Sequence, residues 1–201
     1  MTTKTHTGHD SPDVVGSRER TGLLLLIVAD AAFVFSLAFS YLYLRGLNTN
    51  QAWITEETTR ASQSSIWTVT ALVVLAAISY NWGLSGVRNG NDSRLLLGSV
   101  AASILSLIGL IWQLVQFNSA PYFVPATSAY TSMLIALAVG NIIHLVLITF
   151  VSFGIWNRAR QGLYSRNHFW QVRIVGVWFA WVAFSTVIGS LLTMVVNAPG
   201  V

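Results

Sequence analysis

Five long apolar segments separated by short polar stretches make up most of this chain. They cover residues 22–45, 65–87, 95–117, 130–156 and 174–196. Each is longer than the roughly 20 residues that an α-helix needs to cross about 30 Å of hydrocarbon. The pattern therefore predicts an all-α integral membrane protein with one domain, a bundle of five transmembrane helices.

The polar stretches between these segments carry the signals of turns and loops. Residues 46–64 are polar and contain two glutamates, and residues 88–94 read RNGNDSR, which is typical of a tight turn. Pro121 and Pro125 lie between the third and fourth segments, where they prevent the helix from continuing. Residues 157–173 form a basic loop before the last segment.

The basic residues predict how the bundle is oriented. Of the 11 Lys and Arg residues, only Arg45 and Arg60 lie on the side of the membrane opposite the N-terminus. The positive-inside rule therefore places the N-terminus inside and the C-terminus outside. Residues 1–21, too long and too polar for the start of a cleaved signal, are predicted to be a mobile polar cytoplasmic tail. Residues 22–196 are then the five-helix bundle, and residues 197–201 a short external tail.

Composition supports the membrane assignment and excludes several kinds of chemistry. Hydrophobic residues make up 54% of the chain and charged residues 9%, against about 25% charged residues in a typical soluble domain. The absence of cysteine excludes disulfides, thiolate metal sites and a cysteine nucleophile. The formal net charge of +4 arises from short loops at one membrane face, so we predict contact with anionic lipid and no binding of nucleic acid.

Asp30 is the only acidic residue within the first apolar segment. An Asp near the middle of a membrane helix costs on the order of 2.5 to 3.5 kcal/mol, so its side chain should face protein, water or a polar partner. No Lys or Arg lies closer along the segment than Arg20 and Arg45, and we therefore predict a carboxyl that is protonated at neutral pH. Its place about 12 Å into the predicted span puts it in the cytoplasmic half. Two roles remain open, a structural hydrogen bond and proton handling.

Asn141 and His144 are the other notable polar pair at membrane depth. They are three residues apart, so they share a face of the fourth helix and could hold a headgroup, a water molecule or a partner side chain. The alternative is a simple hydrogen bond from His144 to a neighbouring helix. His144 is the only histidine in the predicted spans, which is too few ligands for haem or copper. We predict no catalytic residue, cofactor or metal site in this chain.

Small residues spaced four apart predict which helix faces pack together, because they let helices approach closely in lipid. Such stripes occur on the first, third and fifth helices. Their members are Ala32, Ser36 and Ser40; Gly98, Ala102 and Ser106, continued by Gly109 and Gln113; and Ser185, Gly189 and Thr193.

The order of several short patterns resembles one known family. In the first helix, Gly22 is followed by the run Ile27-Val28-Ala29-Asp30 and then by an aromatic and basic series ending at Arg45. This resembles subunit III of the haem-copper oxidases in its short, five-helix form, with Asp30 in place of the family's glutamate. Further matches lie in the next three helices: Ser64 and Ser65; Leu97, Gly98 and Gln113; and Tyr130, Thr131, Ser132, Gly140 and His144.

Two signatures of that family are incomplete here. The family's H-x-x-H of the fourth helix reads Asn141-Ile142-Ile143-His144, so the first histidine is missing. The signature W-H-F-V-D-x-V-W before the last helix aligns with residues 171–178, where Val172 and Val175 occupy the histidine and aspartate positions and Trp178 is retained. The chain is therefore similar to a divergent form of the family.

The resemblance implies a non-catalytic accessory subunit of a respiratory terminal oxidase that reduces oxygen and pumps protons. It would be a multi-pass protein of a bacterial or archaeal cytoplasmic membrane, with oxidase subunit I as its main partner and subunit II nearby. Haem and copper would lie in those partners. This chain would bind phospholipid, stabilise the catalytic subunit and support proton uptake. Candidate lipid or partner contacts are Arg88, Arg94, Asn141, His144 and Trp178.

Two other functions fit the same pattern of helices. One is a subunit III-like partner of a nitric oxide reductase. The other is a stand-alone small membrane transporter, in which Asp30 would be a coupling site. Against the transporter stand the lack of a visible internal repeat and the lack of helix-breaking prolines within the spans.

Overall fold

The computed structural model describes residues 12–56, 58–119, 128–166 and 169–197, without the side chains of residues 12–15. Its five long helices are all long and apolar enough to cross a membrane, which confirms the predicted all-helical class. A short 3₁₀ helix, Thr49–Gln51, lies between the first two. The long helices are α1 (Pro12–Leu47), α2 (Gln63–Arg88), α3 (Asp92–Phe117), α4 (Ala129–Arg160) and α5 (Trp170–Met194).

The helices extend beyond the apolar segments at several ends. The largest difference is in α1, which begins at Pro12 and so includes residues 12–21, assigned from the sequence to a mobile tail. Residues 1–11 lie outside the described part. Similarly, α4 continues to Arg160, and α5 begins at Trp170. Charged side chains such as Arg and Glu are good helix formers, so hydropathy marks the part of a helix in lipid but not the end of the helix.

Side-chain caps start three of the helices. At the start of α2, the Ser62 hydroxyl accepts a hydrogen bond from the Ser65 backbone N–H. The Asn91 side chain accepts from the Arg94 N–H at the start of α3, and the Ser128 hydroxyl accepts from the Thr131 N–H at the start of α4. Each cap satisfies a backbone donor that has no partner within the helix. The turn between α2 and α3 is tight, as predicted, and uses the positive φ of 77° at Gly90.

The five helices form a ring in the order α1, α4, α3, α2 and α5. Helix α1 lies against α4 and α5, α5 against α2, α2 against α3, and α3 against α4, while α4 also contacts α5. The closest approach joins α2 and α3, where a Cβ atom added to Gly98 would lie 2.7 Å from the Gly83 Cα. These two helices therefore form a hairpin whose backbones are in direct contact.

The small-residue stripes predict the packed face of α3 correctly, but not that of α1. Gly98, Ala102, Ser106, Gly109 and Gln113 on α3 are all buried, and so are Ser185 and Thr193 on α5. On α1, however, Ala32 and Ser36 are exposed. The face that α1 turns toward the bundle carries Asp30, Val34, Leu37 and Tyr41. Lipid is as apolar as a leucine side chain, so polar groups rather than small residues orient this helix.

An aromatic cap, defined as Tyr41, Trp53 and Tyr130, closes the end of the bundle where α5 finishes. The Trp53 ring is 1% exposed and lies edge-on to both tyrosines, at 5.0 Å from Tyr41 and 5.7 Å from Tyr130. Trp53 Nε1 donates to the Val196 carbonyl at 2.7 Å, and Arg45 Nε donates to the Asn197 carbonyl at 2.6 Å. The cap and Arg45 thus hold the backbone of the segment that follows α5.

Candidate functional site

Asp30 joins α1 to both of the helices that α1 packs against. Its Oδ2 accepts a hydrogen bond of 2.6 Å from Nε1 of Trp181 on α5. On α4, Nε2 of His144 lies 3.0 Å from each carboxyl oxygen of Asp30. The side chains are largely shielded, with 17% of Asp30 and 8% of His144 exposed. Asp30 is therefore the point at which three helices meet through polar contacts.

These contacts matter because α1 has little other burial. In its most apolar stretch only 6% of the residues are buried, against 28% to 44% in the other four helices. Apolar contact does not drive helices together in lipid, so hydrogen bonds and close packing must hold α1 in place. The hydrogen bonds of Asp30, together with that from Tyr41 Oη to the Val195 carbonyl at 3.3 Å, fix both the rotation and the height of α1.

The structure changes one premise of the Asp30 prediction. Asp30 is not an isolated acid, since His144 is a second titratable group in direct contact with it. The location of Asp30 in the cytoplasmic half of the membrane stays a prediction. That the carboxyl is protonated at neutral pH stays a prediction.

Two tryptophans on one face of α5 complete the surroundings of the pair. Trp178, predicted as a contact residue, lies edge-on to the His144 ring with centroids 6.0 Å apart. Trp181, one turn further on, donates to Asp30 and was not predicted from the sequence. Its signal was the i, i+3 spacing from Trp178, together with the need of a membrane-embedded indole N–H for an acceptor.

Asn141 lies on the same face of α4 as His144 but belongs to a separate network. Its Nδ2 donates to Oε1 of Gln113 on α3 at 2.8 Å, and its Oδ1 accepts from Oγ1 of Thr186 on α5 at 2.9 Å. Gln113 in turn donates to Gln116 at 3.0 Å. Thr186 was not predicted, because threonine in a helix commonly bonds its own backbone and gives no distinctive pattern.

Arg88 and Arg94 do not join the Asp30–His144 pair. They lie at the turn between α2 and α3, at the end of α2 and the start of α3 respectively. The Arg94 guanidinium carbon is 4.6 Å from the centroid of the Trp82 ring, and Arg88 is exposed. A cation stacked on tryptophan is typical of a membrane interface, and the predicted contact with lipid phosphate stays a prediction.

A cavity lies between the aromatic cap and the Asp30–His144 pair. Its volume is about 80 Å³, and all five helices contribute to its wall. His144, Ser185, Ile66 and Thr193 are among the residues that line it. The wall mixes apolar side chains with the amides and hydroxyls of the Asn141 network.

The potential metal ligands are few in the described part of the chain. No group of three or more His, Cys, Asp and Glu residues occurs there, so the Asp30–His144 pair has no third ligand of these types beside it. The remaining histidines, His6, His9 and His168, lie outside the described residues. The contacts of Asp30 with His144 and Trp181 hold three helices together.

The sequence matches no model of a known protein family and no curated protein sequence.

Proposed function

We propose that this chain is a non-catalytic accessory subunit of a haem-copper terminal oxidase, of the short subunit III type. The observation that carries the proposal is the meeting of Asp30, His144 and Trp178. Each of these residues matches a position of the family within a separate sequence pattern. The three patterns lie on different helices, α1, α4 and α5. Chance similarity in three separate stretches gives no reason for the three side chains to lie at one place in the fold.

The same proposal states which molecules surround the subunit in the complex. Subunit I packs against α1, the least buried helix, where Leu25 and Phe39 are 66% and 68% exposed. Phospholipid binds between the helices, and Arg88 and Arg94 meet its phosphate, since a cation near an anionic membrane surface contributes about 1 kcal/mol. Haem and copper belong to the partner subunits, and the complex lies in a bacterial or archaeal cytoplasmic membrane. The subunit stabilises its catalytic partner and supports proton uptake.

The test of the proposal is to purify the chain from its native membrane in mild detergent. We expect co-purification with larger membrane subunits and a reduced-minus-oxidised spectrum that shows haem, with oxygen consumed on addition of an electron donor. A complex that reduces nitric oxide but not oxygen would identify the nitric oxide reductase alternative. A chain that purifies alone, without haem, would contradict both and favour the transporter.

The orientation gives a second prediction. With the N-terminus inside, alkaline phosphatase fused after Val201 should be active in a bacterial host, because the enzyme folds only outside the cytoplasm. The same enzyme fused after Arg160, at the end of α4, should be inactive. The reverse pattern would refute the orientation and the alignment with the family together.

A further inference from the structure

Among the described residues, only two basic side chains lie at the end of the bundle where α5 finishes. They are Arg45, in the last turn of α1, and Arg60, three residues before α2 begins. The other end carries Arg18, Arg20, Arg88, Arg94, Arg158, Arg160, Arg166 and Arg173. A basic residue at the end predicted to lie outside works against the positive-inside rule. Orientation therefore gives no reason for Arg45 and Arg60.

Both guanidinium groups contact the same residue, Asn197, just beyond α5. Arg45 Nε donates to the Asn197 carbonyl oxygen at 2.6 Å, and Arg60 Nη2 donates to Asn197 Oδ1 at 3.3 Å. The two arginines belong to different segments, α1 and the stretch before α2. The fold therefore brings the two positive charges of this end together, within reach of one asparagine.

The described part of the chain does not neutralise these charges. Neither Arg45 nor Arg60 forms an ion pair with an acidic residue there. Neither of them stacks on an aromatic ring, in contrast to Arg94 and Arg160 at the other end. A guanidinium group has five N–H donors, and the described residues accept one from each arginine. Most of the donors therefore remain for an anion that both groups share.

The two arginines lie at the level of the lipid headgroups. A bilayer is about 30 Å thick in its hydrocarbon core and about 40 to 45 Å with its headgroups, so residues at the ends of membrane spans lie beside the phosphates. The adjoining surface is apolar: Leu44 of α1 and Leu191 and Met194 of α5 are 36%, 50% and 56% exposed. Acyl chains cover such a surface while the phosphate of the same lipid reaches the guanidinium groups.

We propose that Arg45 and Arg60 form a binding site for the phosphate of an anionic phospholipid, in the leaflet at the end of the bundle where α5 finishes. Guanidinium groups bind phosphate through paired N–H···O bonds, and one phosphate offers acceptors to both groups. The shared negative charge offsets the repulsion between them. The site lies at the opposite end of the bundle from Arg88 and Arg94. It concerns this chain alone and does not depend on its being an oxidase subunit.

The test measures the binding of phosphatidylglycerol to the full chain, purified in detergent with any subunits that accompany it. Bound lipids are counted by native mass spectrometry during a titration, and phosphatidylcholine, whose headgroup has no net charge, is the comparison. We expect the first phosphatidylglycerol to bind about tenfold or more tightly than phosphatidylcholine. Arg60→Gln, at an exposed position, should weaken that binding about fivefold, and Arg45→Gln should have a similar effect.

Three further variants separate a specific site from other roles of the arginines. Arg20→Gln removes one exposed charge at the other end and should leave the affinity within about twofold. Asn197→Ala removes the side-chain acceptor of Arg60 but keeps both guanidinium groups, so binding should persist. Arg60→Lys keeps the charge without the paired N–H geometry, and should weaken binding about threefold or more. Diffuse attraction to the membrane predicts no change in Arg60→Lys.

Several results would overturn the proposal. One is an affinity that is unchanged in Arg60→Gln, or reduced as much in Arg20→Gln. Another is an equal loss in Asn197→Ala, which would mean that Arg60 acts only by holding the segment after α5. Displacement of the lipid by inorganic phosphate would assign the site to free phosphate instead. Release of a protein subunit by Arg60→Gln, with lipid binding unchanged, would assign the arginines to an acidic protein surface.

Discussion

Asp30→Ala is expected to destabilise the bundle by about 2 to 5 kcal/mol, the range seen when one partner of a buried polar pair is removed. The change leaves Trp181 Nε1 and His144 Nε2 without their acceptor in a region that lacks bulk solvent. Because α1 has so little other burial, it should also be the first helix to separate. The measurement is equilibrium unfolding by sodium dodecyl sulfate in mixed micelles, followed by circular dichroism.

Two controls separate this effect from a general weakness of α1. Ser36→Ala, on the exposed face of α1, should leave stability within about 0.5 kcal/mol of the parent protein. Asp30→Asn keeps an acceptor for Trp181 and a hydrogen bond to His144, so most of the stability should return. An Asp30→Ala protein as stable as Ser36→Ala would show that the polar contacts do not hold α1.

Asp30→Asn also distinguishes the two roles that the sequence left open. The amide cannot titrate, but it can make the same contacts. We favour the structural role and expect normal assembly and normal turnover of the complex. Normal assembly with slowed proton uptake would instead assign proton handling to the Asp30–His144 pair.

Gly98→Ala should destabilise the protein by about 1 to 3 kcal/mol, although alanine is the better helix former. Its Cβ would lie 2.7 Å from both the Gly83 Cα and the Ser79 carbonyl oxygen, which are backbone atoms that cannot move without separating α2 from α3. The matched control is Gly154→Ala, where nothing lies within 4 Å and the residue is exposed. That change should be neutral or stabilising by up to about 1 kcal/mol.

The expected result is a loss of stability in Gly98→Ala and no loss in Gly154→Ala, measured by the same unfolding transition. If Gly98→Ala were as stable as Gly154→Ala, the α2–α3 contact would have to be looser than the structure shows. The comparison uses one substitution at two helical glycines, so helix propensity cancels and only the contact remains.

The sequence determined which segments of this chain are membrane helices, because hydropathy summed over 20 residues is decided by composition and needs no neighbour. It also indicated the packed face of α3, where an unbroken line of small residues ends in Gln113. It showed that Asp30 required a partner, since an acid at this depth is too costly to leave facing lipid. These conclusions depend on the helix itself or on its contact with lipid.

Only the tertiary structure decided which groups meet. Asp30 and His144 are 114 positions apart, and Asp30 and Trp181 are 151 apart, so no local pattern connects them. The sequence also did not predict the rotation of α1 about its axis, because both of its faces are apolar enough to contact lipid. The small residues Ala32 and Ser36 lie on the exposed face. The hydrophobic effect determines which segments enter the membrane, but it does not determine which helices pack against each other there. Contacts between distant polar groups, together with the close approach of small residues, choose the arrangement.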